Sequence, residues 1–551
     1  MHTALTPGNP RPIGPPAVQQ WTRRFLWVIM AGSALVLIAR AIFGPFRLLV
    51  SVASPINAES FLALAALLLL VTRAQRNGES AERVNDLNDR TAVVVLVAAW
   101  LAAWTWICWF PFVADDYSHI ANGLLATPSY LLSVLHVPPA DRFFRPFGLT
   151  AYAAQAQLWG KNRIAWHAAS LLLHLLNSVL VYVLAKERGS RRWPALAAGL
   201  FFMLCGARPE AVAWIGAQFD LWATLFFLLA LLALGRFLKT GDRRWEATEL
   251  GALLLALLSK ESAYVFPLVV GLMLWIDGVR GRKFLRALWP SVAITTVVFA
   301  YRWMVLQGIG GYRMVGTGKP FFYSVSPFRT GKALLLRLPA ILVFPINWTR
   351  QPEWWLTIAL IAGIVALALV AGAKLGRKEL WFALGFMLAA AVPVHQFLLI
   401  GPDLEKSRVL YLPSVGFALL LAAGFATMRA SVAAVAACSI LAFQTAALEH
   451  NLAIWRNVAM LVERTCAGVA RAAASDPRPL ATSDVPNDID GVYFLHTGFR
   501  PCVEWAAGKP LPGLSPQMEF EGGPVSKGPK LLWSNAQRAF ITDSGERLGE
   551  K

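Results

Sequence analysis

Charge is scarce in this chain. Only 15% of its 551 residues are Asp, Glu, Lys or Arg, while 57% are hydrophobic. A soluble fold of this length carries about a quarter of its residues charged, so a soluble globular protein is excluded. Cysteine is sparse too, at five, and Cys108, Cys205 and Cys438 fall in apolar runs where burial is the ordinary fate. Cys466 and Cys502 lie in the C-terminal part. They could pair if that part faces an oxidising compartment, but two cysteines leave the question open. An apolar leader with a small-residue cleavage site is also lacking. Residues 1–20 are proline-rich and polar, the composition of a disordered cytoplasmic tail.

What remains is apolar sequence in long runs. Stretches 61–71, 171–184, 221–234 and 358–370 carry no Asp, Glu, Lys or Arg. They point to an all-α polytopic membrane protein. About thirteen transmembrane helices are predicted, near 25–43, 57–72, 92–112, 164–185, 193–207, 219–238, 246–259, 262–277, 288–306, 354–373, 380–400, 409–428 and 431–448. Several are shorter than the roughly 20 residues that cross a bilayer upright.

Loop charge tests the count. Arg23/Arg24, Arg73/Arg76/Arg83/Arg90, Lys186/Arg188/Arg191/Arg192, Arg236/Lys239/Arg243/Arg244, Arg280/Arg282/Lys283/Arg286 and Lys374/Arg377/Lys378 all fall on one side. By the positive-inside rule that side is cytoplasmic, and most of the formal charge of +19 needs no nucleic-acid partner to explain it. The organisation expected is a tail (1–22), two additional helices with a cytoplasmic loop (23–91), a transmembrane core (92–448) and a small extracytoplasmic C-terminal domain (449–551). That last part holds a strand-like Gly491-Val-Tyr-Phe-Leu495 and no tandem helical repeat. Segments 124–135 and 332–343 are apolar enough to lie on the membrane surface.

Unusual polar residues gather opposite the basic loops. Asp115-Asp116 ends Trp109-Phe-Pro-Phe-Val-Ala-Asp-Asp, directly after the third span. Adjacent carboxylates at the mouth of a bundle lose solvation and repel each other, which suits a base or a cation ligand better than packing. The competing reading is a solvated loop start or a helix cap. Arg142 and Arg145 close the same loop, and Arg is the natural partner of phosphate or carboxylate, unless the pair only snorkels. His167, Ser170, His174 and Asn177 form a polar stripe at helical spacing, which interhelical hydrogen bonding would explain without a ligand. No acid stands at ligand spacing to them, so no metal site is assigned there. Arg208-Pro-Glu210 and Asp220 flank one outer turn, Lys260-Glu261 occupies the next, and Arg302 lies inside an apolar span. Glu405-Lys406-Ser407-Arg408-Val-Leu-Tyr411-Leu-Pro-Ser-Val-Gly-Phe417 opens the twelfth span, with cations where a lipid phosphate would lie.

These strings resemble the GT-C superfamily of membrane glycosyltransferases, which use polyprenyl-phosphate-linked sugars. The likeness is greatest to the O-mannosyltransferase-like core that elsewhere carries tetratricopeptide repeats. The matching pieces are Asp115-Asp116, Arg145-Pro146, His167…His174…Asn177, Arg208-Pro-Glu210…Asp220, Lys260-Glu261, Arg408–Phe417 and Asn451-Leu-Ala-Ile-Trp455, covering roughly 92–460. The two spans before residue 75 read as an addition, and Arg208-Pro stands where His-Pro is common.

The resemblance implies an inverting sugar transfer on the extracytoplasmic face by a multi-pass cell membrane protein; the general character of the chain suggests a bacterial inner membrane. Asp115 or Asp116 would be the general base, Asp115 favoured as the first of the pair, with Asp116 orienting the acceptor or holding a divalent metal (Mg or Mn). Arg408 leads the candidates for the donor phosphate, with Lys406, Lys260, Arg142 and Arg145. Tyr117, His167, His174, Glu210, Asp220, Glu261 and Tyr411 would line the substrate pocket. The partners would be the lipid-linked donor, the bilayer and a glycan, lipid or protein acceptor. No Gly-rich nucleotide loop stands out, which agrees with a lipid-linked donor. A lipid or anion transporter would also want membrane-facing cations, but inverted repeats are not evident.

Overall fold

The computed structural model describes residues 16–47, 51–52, 54–75, 87–137, 143–311, 326–475, 481–495, 497–511, 514–518 and 530–541. Apolar runs become helices because hydrocarbon offers no partner for exposed backbone groups. Side chains mark several starts: Asn88, Asn162 and Asp242 each accept from a backbone N–H of the first turn. Among the described residues, nine helices are long and apolar enough to cross a membrane: Gln20–Phe43, Ile56–Arg73, Asp89–Trp109, Arg163–Glu187, Ile215–Thr240, Gly281–Leu306, Trp354–Ala371, Arg377–Phe397 and Ala430–Ser475. The other four predicted spans correspond to Arg192–Leu204, Arg243–Ser259, Glu261–Ile276 and Pro413–Phe425, none longer than 17 residues.

Charged contacts hold the loops of the basic end together. Asp89 takes Lys186 at 2.6 Å and Arg192 at 3.1 Å, Arg188 meets Asp277 at 2.7 Å, and Glu187 binds Arg236 at 3.0 Å and Lys239. Gln75 joins the backbone of Leu375 and Arg377. Asp115-Asp116, Arg208–Glu210, Lys260-Glu261 and Lys406–Arg408 lie in the alternate connections, whereas the His167–Asn177 stripe and Arg302 lie within helices.

The last long helix differs from expectation. It runs unbroken from Ala430 to Ser475, 46 residues, well past the predicted end at 448. At 1.5 Å per residue that is about 70 Å, more than twice the hydrocarbon thickness. Hydropathy falls after Leu448, but no proline follows until beyond the helix end, and good helix formers such as Ala459, Leu461 and Ala470 continue it. Falling hydropathy marks exit from hydrocarbon and not the end of a helix. Gln444 and Asn451, two turns apart, rivet this helix to the bundle. Gly206 N–H donates to Gln444 at 3.0 Å and its carbonyl accepts from Asn451 at 2.7 Å. A Cβ on Gly206 would lie 2.8 Å from that of Ala447, so only glycine permits the approach.

Beyond the helix lies a small α/β unit. Its parallel and antiparallel sheet has the order Ser515–Met518, Ala481–Val485, Lys530–Ser534, Ala539–Ile541, with a separate hairpin of Asp488–Ile489 and Val492–Tyr493 and a helix Phe499–Ala507. Cys502 of that helix forms a disulfide with Cys466 of the long helix. The surface segments also differ in detail. The predicted 124–135 segment is helical over Pro128–His136, which Thr127 caps, and a separate helix, Asp116–Leu124, precedes it. The 332–343 segment joins Pro327–Lys332 to Leu338–Val343 through one π-helical stretch.

A buried carboxylate ties the second N-terminal helix to the core. Glu59 is 1% exposed; it accepts from Arg337 at 3.0 Å and from Trp348 Nε1 at 2.7 Å. Removing one partner of such a pair leaves a buried charge uncompensated. Arg337→Ala is expected to destabilise the protein by about 3–5 kcal/mol. The double substitution Glu59→Leu/Arg337→Leu should cost less than the single one, read as thermal unfolding in detergent.

Candidate active site

The acidic loop is built by a break in the third helix. Its last turn tightens to a 3₁₀ stretch, Thr105–Trp109, and Pro111 holds the chain extended. Ala114 then adopts φ +44°, a left-handed conformation unusual for a residue with a Cβ, and swings the two acids apart. Asp116 points inward and is fully buried. Its Oδ2 accepts from Val113 N at 3.1 Å and its Oδ1 from Gly216 N at 2.8 Å, with the Ile215 backbone adding a further bond. The carboxyl thereby joins its own loop to the turn Ile215–Ala217. Burial pushes its proton affinity well above the usual carboxylate range, against the pull of these N–H donors. Asp115 is half-buried, stands at the start of the helix Asp116–Leu124 and accepts from the Thr497 hydroxyl.

Three of the cations expected to hold phosphate meet three of the acids expected in the pocket, one to one. Arg145 binds Glu261 through Nη2 at 2.7 Å and Nε at 3.0 Å. Lys260 Nζ is 2.5 Å from Asp220 Oδ2. Arg408 pairs with Glu210, whose other oxygen accepts from Ser407 Oγ at 3.2 Å and Arg408 N at 3.3 Å. Arg302 Nη2 adds a fourth cation, 3.8 Å from Glu261. Four cations against three carboxylates leave one positive charge in excess. Burial depresses the Lys260 ammonium and the charge of Asp220 opposes this. Burial raises Glu210, and the Arg408 guanidinium beside it pulls the other way. Arg408 also lies over the rings of Trp214 at 4.7 Å and Tyr493 at 5.2 Å. Tyr152 is buried, donates its hydroxyl to the Ile215 carbonyl and is within electrostatic reach of Asp115, Asp116 and Arg145.

The remaining candidates lie elsewhere. His174 Nε2 donates to the Met203 carbonyl at 3.0 Å and its Nδ1 accepts from Tyr411 at 2.8 Å, while Asn177 donates to the same Tyr411 oxygen at 3.3 Å. His167 donates to the Phe110 carbonyl at 3.2 Å. These four side chains are buried and bond helices together, the role that hydrogen bonding alone would give the stripe. Lys406 is 40% exposed and pairs with Glu405, apart from the cationic group. Tyr117 packs on Phe112 and on Trp505 of the C-terminal unit, beside a cavity of about 310 Å3 that Lys161, Arg163, Glu463 and the Cys466–Cys502 bridge also line. Arg142 lies outside the described residues.

No family model matches the chain. Curated proteins do. Its relatives are protein O-mannosyl-transferases. TMTC1 of Mus musculus is 30% identical over 191 residues, 31% of this chain and 20% of that protein. TMTC4 of Homo sapiens is 24% identical over 394 residues, 58% of this chain and 53% of that protein. The chain thus spans about half or less of the length of these relatives. Among solved structures, ArnT of Cupriavidus metallidurans bound to undecaprenyl phosphate overlaps at TM-score 0.36 and 18% identity, covering 78% of this chain and 86% of that one. The Pmt1-Pmt2 protein O-mannosyltransferase complex of S. cerevisiae, bound to its sugar donor, overlaps at 0.31 and 15%, covering 43% and 36%. Overlaps this loose define no residue correspondence. The glycosyltransferase likeness read from the motifs therefore stands on the curated relatives.

Among the described residues no group of three or more His, Cys, Asp or Glu converges to hold a metal ion. Asp116 already spends both oxygens on backbone N–H groups. Two site neighbours were not foreseen as such. Tyr493 was visible only as part of a strand-like string, and Thr497 carried no signal at all.

Asp116→Asn keeps the shape but loses one acceptor, leaving a buried N–H unpaired. A loss of about 1–3 kcal/mol of stability is expected where the wild-type carboxyl is protonated. Because folding raises the proton affinity of Asp116, its contribution is most favourable below about pH 4 and declines as pH rises through the folded value. The variant should therefore show a flatter stability profile between pH 4 and 8 than wild type, measured by thermal unfolding across pH.

Proposed function

We propose that this protein transfers a sugar from a polyprenyl-phosphate donor to an acceptor hydroxyl, with inversion at the sugar. The observation that carries this reading is the combination of a half-buried carboxylate, Asp115, with a partly buried cationic group holding one excess positive charge. In the step, the acceptor oxygen attacks the anomeric carbon as the bond from that carbon to the phosphate oxygen breaks. Asp115 takes the acceptor proton, and the lipid phosphate leaves with the bonding pair. Its developing charge is met by Arg408, with Lys260, Arg145 and Arg302 behind it. Glu210, Asp220 and Glu261 keep these cations oriented and tolerable in a buried place before donor arrives. Asp116 holds the loop on which Asp115 rides. His167, His174 and Tyr411 fix the helices beneath.

We place the reaction on the extracytoplasmic face. The basic loops gather at the opposite end, as the positive-inside rule requires of the cytoplasmic side. The Cys466–Cys502 disulfide, next to the acidic loop, fits an oxidising compartment. Thirteen passes then put the N-terminus inside and the C-terminal unit outside, the four shorter helices crossing where the bundle thins the bilayer around them. The transmembrane core, 92–448 with the membrane part of the last helix, would be the catalytic unit. The names of the relatives make mannose the first sugar to test and a protein the first acceptor.

The test uses the purified protein in nanodiscs with labelled polyprenyl-phosphate sugars and envelope acceptors, with and without Mg or Mn. Wild type is expected to transfer label. Asp115→Asn should lose about 10²–10⁴-fold in rate without losing fold, and Arg408→Gln should lose transfer as well. Absence of transfer from every donor, or equal transfer by Asp115→Asn, would overturn the reading.

A further inference from the structure

We infer that the C-terminal unit completes the transfer site: the Tyr493 side chain positions Arg408, and the Thr497 hydroxyl positions Asp115. This rests on the proposed transferase reading and adds to it two residues outside the transmembrane core.

The geometry begins with docking. Ala114 N donates to the Phe494 carbonyl at 2.9 Å, and Ser118 Oγ donates to the Thr497 carbonyl at 2.8 Å. From the other side, Asn347 Nδ2 donates to the carbonyls of Asp490 and Asp403, each at 2.8 Å. Two glycines let the backbones touch. A Cβ on Gly498 would fall 1.8 Å from the Ala114 carbonyl oxygen, and one on Gly491 would fall 2.1 Å from that of Asp403. The segment is therefore seated directly on the acidic loop and on the loop leading to Arg408.

Two side chains of this segment reach the reacting groups. The guanidinium of Arg408 donates to the Tyr493 phenol oxygen and lies 5.2 Å from its ring, and Trp214, packed on Tyr493 at 4.8 Å, adds a second ring on the same side at 4.7 Å. An arginine held between a wall of two packed rings and a buried carboxylate has few rotamers left, which is what a phosphate clamp needs. Thr497 donates to Oδ1 of Asp115, leaving Oδ2 for the acceptor proton. The two residues are four apart in sequence, so their Cα atoms are at most about 14 Å apart. One short stretch thus sets the spacing between base and phosphate clamp, and that spacing must match the span from acceptor oxygen to leaving phosphate. The disulfide to the long helix and the Trp505 contact with Tyr117 hold the same unit against the core nearby.

The two roles predict different kinetic signatures, measured on the full chain in nanodiscs with the polyprenyl-phosphate sugar that wild type uses. Thr497→Val should lower kcat about tenfold with donor KM unchanged, and Thr497→Ser should restore it, since one hydrogen bond to a charged group is lost and regained. Tyr493→Phe should raise donor KM several-fold and weaken binding of a sugar-free polyprenyl phosphate, followed by tryptophan fluorescence, whereas Thr497→Val leaves that binding unchanged. Matched melting temperatures exclude a folding defect. If active wild type is accompanied by wild-type kinetics in both variants, or by the same uniform loss in both with no rescue by serine, the positioning roles are wrong. If wild type transfers nothing, the transferase reading fails instead. The binding arm then still reports on Tyr493, and unchanged phosphate binding in Tyr493→Phe would overturn its part.

Discussion

Buried charge must find opposite charge, and that constraint shapes the functional end of this molecule. Arg145, Lys260 and Arg408 each take a carboxylate from a different connection of the chain: Glu261, Asp220 and Glu210. Arg145 with Glu261 links the first large loop to the turn after Lys260. Arg408 with Glu210 links the start of Pro413–Phe425 to the short helix Pro209–Val212. Each pair is costly to desolvate and worth little as stability by itself. Together they fix where loops from distant parts of the sequence can sit. With Arg302 added they also leave a surplus positive charge, the electrostatic condition for receiving an anionic group.

A second layer of polar contacts makes that end rigid. Asp116, Asn451 and Gln444 spend their side chains on backbone groups of other segments. In an apolar interior an unpaired N–H or carbonyl is expensive, so these bonds are specific ties between elements. The His174–Tyr411–Asn177 network does the same deeper in the bundle. Glu59 with Arg337 extends the scheme to the second of the two N-terminal helices, which share the core's burial and are not a loose appendage. The C-terminal unit is joined by main-chain bonds to the acidic loop and by a disulfide to the long helix, which is why it belongs to the account of the site.

Much of this was legible in the residues. Helix positions followed from apolar runs, and the segregation of basic loops from unusual polar clusters is a pattern the two ends of the molecule reproduce. The candidate cations and acids were found because ionisable groups beside apolar spans are rarely idle. Their partition was not legible. Arg408, Glu210, Lys260 and Asp220 are far apart in sequence, and nothing local says which cation takes which acid. Nor did the adjacency of Asp115 and Asp116 reveal that one turns inward as a backbone clamp while the other stays half-exposed; the left-handed Ala114 decides that.

By itself, then, the sequence determined the class of molecule, the helices and the inventory of chemistry-bearing side chains, because hydropathy and charge act locally and are read residue by residue. Tertiary structure decided the rest. It carried the last helix 27 residues beyond Leu448, from hydrocarbon into the C-terminal unit, because a helix ends where its backbone bonding ends. It brought Thr497 to Asp115 and Tyr493 to Arg408, contacts bridging 382 and 85 positions of chain that no local pattern encodes. Such contacts exist only once packing has been paid for by the whole bundle, which is the physical reason they are invisible beforehand.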